Sequence, residues 1–78
     1  MKTGDVIRVR YFEGHDDIND PVWSKPYTGV LIKLDATMSK GTLYAMVHEF
    51  WCIEERRPMG FMPYTDDVEV IYEVNAGN

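Results

Sequence analysis

From Asp5 to Phe12 the chain reads DVIRVRYF, which puts Ile7, Val9 and Tyr11 on one side of an extended backbone and Arg8 and Arg10 on the other. That period of two is the pattern of a half-buried strand. Residues 13–26, EGHDDINDPVWSKP, are dense in Gly, Asp, Asn and Pro and predict a long loop. A second strand is expected over Thr28–Asp35, with Val30, Ile32 and Leu34 directed at the core, followed by a turn over Ala36–Gly41. Thr42–Ile53 predicts a third, long strand, and the charged segment Glu54–Gly60, with Pro58 and Gly60, a turn. Phe61–Tyr64 reads as a short strand interrupted by Pro63, Thr65–Asp67 as a tight turn, and Val68–Val74 as the last strand. Asn75–Asn78 is a tail expected to fray.

Composition supports the same picture. Val, Ile, Thr and aromatic side chains number 28, against six Ala and Leu. Branched and aromatic side chains suit a pleated surface and lose rotamer freedom in helices, so the class is all-β. Both faces of the third strand are apolar: Leu43, Ala45 and Val47 on one, Tyr44, Met46 and His48 on the other. Either a strongly bent strand serves two sides of one core, or the second face meets another subunit.

Length makes that choice matter. The 78 residues form a single domain, whose formal net charge is −5. A chain this small buries only about 60% of its unfolded surface and usually needs a disulfide, a metal or a partner subunit. One cysteine, Cys52, excludes an internal disulfide and fits a reducing compartment, read as cytoplasm. No stretch approaches the ~20 apolar residues of a membrane helix, and no apolar leader is visible.

The expected order is strand, long loop, strand, short turn, long strand, turn, short strand, tight turn, strand. It is the order of a five-stranded, strongly bent SH3-like small barrel. Residues 29–39, GVLIKLDATMS, add a specific pattern: Gly29, Leu31, Leu34, Asp35 and Met38. They resemble the first signature of the Sm and Sm-like RNA-binding proteins. The spacing has a physical logic, because Gly29 permits a sharp bend and Leu31 and Leu34 share a side only if the strand bulges between them. The resemblance implies that Asp35 orients a base-reading group at Ser39 while Thr37 takes the stacking position. Ser39 offers one hydroxyl where the family has an amide, and Thr37 has no ring. The family's second signature, an Ile-Arg-Gly turn, aligns with Pro63–Thr65 and has no counterpart here. The absence of an N-terminal helix and the long first loop look like the phage-type members.

The resemblance further implies a homo-oligomeric ring, built by edge pairing of the fourth and fifth strands. Phe61, Met62, Tyr64, Val68, Val70, Ile71 and Tyr72 are the candidate subunit interface. Single-stranded RNA is the implied ligand, with Arg8, Arg10, Asp35, Thr37, Ser39, Lys40, Arg56 and Arg57 as candidate contacts. The net charge opposes that function. The alternative is an SH3-like protein-interaction or structural module, with Trp23, Tyr27, Trp51 and Tyr64 available to a peptide. No cofactor or metal is expected: His15, Asp16, Asp17, Asn19 and Asp20 read as a solvated loop, and His48 and Cys52 as ordinary strand residues. No catalytic motif is present, so no enzyme is expected.

Overall fold

The alternation of Ile7 and Val9 with Arg8 and Arg10 sets the first strand, β1 (Val6–Arg10), and both apolar side chains are fully buried. In the computed structural model residues 1–74 are described, apart from the side chains of Met38, Lys40 and Leu43. The tail, residues 75–78, lies outside the described residues. The remaining strands are β2 (Phe12–His15), β3 (Pro21–Trp23), β4 (Tyr27–Lys40), β5 (Leu43–Cys52), β6 (Arg57–Phe61) and β7 (Asp67–Tyr72). All pairings are antiparallel. Five strands form one sheet in the order β6-β5-β4-β1-β7, and β2 and β3 form a separate hairpin. Among the described residues β6 and β7 stay unpaired with each other, so the sheet has two edges. Among the described residues no helix is long and apolar enough to cross a membrane.

The core lies on one face of this bent sheet. Ile7, Val9, Leu31, Phe50, Cys52 and Phe61 make it, with Tyr11, Tyr27, Met59 and Val68 packed at its margin. Burying each large apolar side chain contributes about 1.5–3 kcal/mol. Gly29 lets β4 and β5 approach: a Cβ there would stand 1.8 Å from the Trp51 carbonyl oxygen and 2.7 Å from the Phe50 ring. Asp5 anchors the start of β1. Its buried carboxylate accepts the Lys2 N–H at 2.9 Å and the Val74 N–H at 3.0 Å. The Lys2 N–H holds this carboxyl below its ordinary value; burial opposes the shift, and the Val74 N–H and Lys2 ammonium reinforce it.

Several expectations are corrected. The inward residue of β4 is Leu31, not Val30, Ile32 or Leu34; Leu31 is 1% exposed and Ile32 45%. Because Val30, Leu31 and Ile32 are all apolar, either parity fits the pattern, and the close approach at Gly29 selects one. The bulge between Leu31 and Ala36 does occur, with Asp35 at φ 54°, but it buries Ala36 and leaves Leu34 exposed. Ala36–Gly41 is not a turn: β4 runs on to Lys40, and only Gly41 and Thr42 connect it to β5. The segment read as a loop over residues 13–26 is largely the β2–β3 hairpin, which runs from Phe12 to Trp23; in it the Asp16 carboxylate accepts the Ile18 and Asp20 N–H groups around Asn19 at φ 66°. The fourth strand of the sheet is β6, ending at Phe61; Pro63–Thr65 belongs to the following turn.

The long β4–β5 pair shapes the molecule. β1 pairs with β4 only as far as Val30, and β6 with β5 only from His48 onward. Beyond those points the two strands pair only with each other, as an arm. Its reach explains a longest dimension of 46 Å and a radius of gyration of 13.6 Å, against about 11.5 Å for a compact chain of this length.

Candidate interaction surfaces

The candidate RNA contacts do not converge. Arg8 and Arg10 share the solvent face of β1, and the register sets Glu69 and Asp67 of β7 opposite them. Arg8 pairs with Glu69, and the Arg10 Nε donates to an Asp67 oxygen at 2.9 Å. The Arg10 guanidinium also lies over the Trp23 ring, 5.6 Å from its centre. Arg8, Arg10, Asp67, Glu69 and Pro26 line an open cavity of about 290 Å³, in which cation and carboxylate alternate. Arg56, at φ 54°, and Arg57 lie at the β5–β6 connection, toward the other edge of the sheet. Lys40 ends β4 at the tip of the arm, and its side chain lies outside the described residues. A single basic face does not form from these positions.

Asp35, Thr37 and Ser39 run along one exposed side of the arm instead of around a loop. The Thr37 hydroxyl donates to the Met46 sulfur at 3.6 Å, and Ser39 faces Tyr44 in the register. At the base of the arm is a second cavity, of about 310 Å³, lined by Met1, Leu34, Asp35, Met46, His48, Pro63 and Tyr64. It brings together Asp35 and the Pro63–Tyr64 turn, positions that the two signatures separate by nearly 30 residues. Its polar wall is Asp35 and His48. The Asp35 N–H donates to His48 Nδ1 at 3.1 Å, which leaves Nε2 as the protonated nitrogen of the neutral ring. Among the described residues no lysine or arginine lines this cavity.

The candidate interface residues divide into two groups. Phe61 is buried against Phe50, with ring centres 5.7 Å apart, and Val68 packs at the core margin, so these two side chains are corrected from interface to core. Met62, Tyr64, Val70, Ile71 and Tyr72 are exposed at or beside the strands that form the sheet's two edges.

Other polar groups secure the scaffold. Tyr11 donates its hydroxyl to the Gly60 carbonyl at 2.8 Å and is half-buried; burial, then the Asp66 carboxylate, push its pKa up to about 12. Asp66 accepts the Phe12 N–H at 3.0 Å and the Met62 N–H at 2.8 Å, tying the last turn to the β2–β3 hairpin. Leu34 is read from the sequence as directed at the core, and its exposure is not legible there because it depends on the bulges of β4 against β5. Scans against protein-family models, curated proteins and solved structures find no match to this chain.

Proposed function

We propose that this chain is a non-enzymatic barrel-type module of the Sm-like or SH3-like kind, whose work is protein assembly. One observation carries the reading: the order β6-β5-β4-β1-β7 leaves β6 and β7 as open edges, and neither strand contains the lysine that commonly blocks edge pairing. The meander β1-β4-β5-β6, with β7 returning beside β1, supports the barrel kinship. Adding β6 of one copy to β7 of the next satisfies both edges and repeats around a ring of identical subunits. Pro58 removes one donor from β6 but leaves the carbonyls and the other N–H groups of that strand.

Sedimentation velocity tests this. The expected species at micromolar concentration is several times the 9.1 kDa chain mass, and Met62→Lys at the β6 end reduces it. A monomer throughout that range refutes the assembly reading.

Single-stranded RNA is the second reading, favoured by the cavity that joins Asp35 to Tyr64. The paired state of Arg8 and Arg10 and the net charge of −5 weigh against it. Filter binding with uridine-rich and adenine-rich RNA at two salt concentrations separates the two. Salt-dependent binding at tens of micromolar restores the RNA reading; its absence leaves the assembly module.

A further inference from the structure

The β4–β5 arm leaves the rest of the sheet at a bulge. Lys33 pairs with Glu49 and Ala36 with Val47, so Leu34 and Asp35 together stand opposite the single residue His48. Such an insertion interrupts the ladder and bends the strand. Asp35 takes φ 54°, a left-handed backbone that L side chains rarely adopt. His48 is also the first residue of β5 that pairs with β6, opposite Phe61. Outward from this point, among the described residues, neither strand of the arm pairs with a third. The bulge therefore sits where the arm can bend.

A titratable side chain holds the backbone there. The Asp35 N–H donates to His48 Nδ1 at 3.1 Å. Only a neutral ring with its proton on Nε2 accepts that bond. Asp35 Oδ1 lies 3.8 Å from the same nitrogen, beyond hydrogen-bond reach. A proton on Nδ1 reverses both relations: the nitrogen becomes a donor facing the Asp35 N–H, and the carboxylate becomes its acceptor. The His48 ring is 13% exposed and packs edge-on to Phe61, with centres 5.5 Å apart, whereas the Asp35 side chain is 74% exposed. The exposed partner, Asp35, is the one that yields. Other groups reach His48 from the remaining elements. β6 presents Phe61, which does not titrate; the turn after β6 brings Tyr64, and the segment before β1 brings Met1 with its amino group. Lys33 and Glu49, paired one step along the ladder, carry opposite charges.

We propose that Asp35 and His48 form a pH-sensitive hinge. Protonation of His48 exchanges the bond from the Asp35 N–H for an ion pair with the Asp35 carboxylate, and the β4–β5 arm swings relative to the rest of the sheet. The arm carries exposed Leu34, Tyr44 and Met46, so the hinge changes where these side chains are presented. It also reshapes the cavity whose polar wall the pair makes. The hinge depends neither on pairing of the β6 and β7 edges nor on RNA.

NMR of the ring and amide nitrogens tests this between about pH 8 and pH 5, the range in which imidazole side chains change charge. At the upper end His48 is expected as the Nε2–H tautomer. On acidification the Asp35 amide should exchange with solvent about fivefold faster or more, relative to its intrinsic rate, as one hydrogen bond is lost. The Thr37 and Val47 amide signals should shift with the same midpoint as the His48 ring. His48→Asn places a non-titrating oxygen near the Nδ1 position and should abolish the pH dependence while the Asp35 amide stays protected. Asp35→Asn removes the acceptor of the charged state and should move the change to lower pH. His15→Asn, on the β2–β3 hairpin, should leave it in place. The wild-type titration decides the matter even if His48→Asn does not fold. An Nδ1–H tautomer at the upper end, arm signals that do not follow the His48 ring, or a midpoint unmoved by Asp35→Asn overturns the proposal.

Discussion

Replacing Gly29 by alanine tests the packing on which the whole sheet depends. The new Cβ would lie 1.8 Å from the Trp51 carbonyl oxygen and 2.7 Å from Phe50 Cδ2. A real contact needs more than 3 Å, so β4 and β5 must separate by over an ångström where Gly29 pairs with Cys52. Overpacking of this kind costs about 1–3 kcal/mol. Loosening neighbouring links, such as the Ile53 N–H to Thr28 carbonyl bond, adds about 1 kcal/mol for each bond disturbed. Alanine's smaller unfolded-state entropy returns only about 0.4–1 kcal/mol. With two such bonds disturbed the net loss is about 2–5 kcal/mol, against a total stability of roughly 4–12 kcal/mol for a chain of this size. Urea unfolding followed by circular dichroism should show the midpoint falling by about a sixth or more, or a variant already unfolded without urea. A loss below about 1 kcal/mol would refute the claim that backbone contact at this position sets the β4–β5 spacing.

The other expectations concern buried polar groups. Tyr11 should titrate at about 12 by absorbance at high pH, a component that Tyr11→Phe removes; an absorbance titration left unchanged by that substitution would refute its placement. Its pKa is higher folded than unfolded, so its contribution to stability is complete below about 10 and is lost as pH rises from there toward 12. Asp5 has the opposite sign: its carboxyl pKa is lower folded than unfolded, so its contribution is present above the ordinary carboxylate range and lost as pH falls through the folded value. Asp5→Asn should lower the melting temperature at neutral pH and flatten the acid limb of the stability curve, and an unchanged acid limb would contradict the Lys2 and Val74 bonds. Asp66→Ala removes the acceptor for Phe12 and Met62 and should cost about 1–3 kcal/mol in urea unfolding. Cys52 is fully buried, so a thiol reagent should modify it only at the rate of unfolding.

Where one pattern dominated, the fold was legible. β1 alternates cleanly, and both its buried and its exposed residues follow from the sequence. The all-β class follows from composition, and the fourth and fifth strands of the sheet stand at its edges, as the resemblance implied. Three consecutive apolar residues at Val30–Ile32 hid the parity of β4, because only the cross-strand approach at Gly29 distinguishes them. Pro58 and Gly60 argued for a turn where β6 forms; an edge strand accommodates both, since one of its sides needs no ladder donors. The β2–β3 strands, four and three residues long, are too short to carry a period among so many turn formers. At the candidate site the chemistry of Arg8 and Arg10 was legible but their neutralisation was not. Glu69 and Asp67 stand some 60 residues away along the chain and meet them only through the β1–β7 register.

That same register governs how the molecule forms. The β4–β5 hairpin, closed by two residues, can appear within about 1–10 µs from local contacts alone. β1 cannot find β7 until a loop of nearly the whole chain has closed, since Val6 pairs with Tyr72 and Arg10 with Asp67. The entropy of that closure must be met before its contacts return anything, which places the chain among the slower, millisecond-to-second folders of its size. Until then both sides of β1 are open, and Ile7 and Val9 lack part of their cover. The interval between hairpin formation and β7 docking is therefore the stage at which this chain is most exposed to misassociation with its own copies.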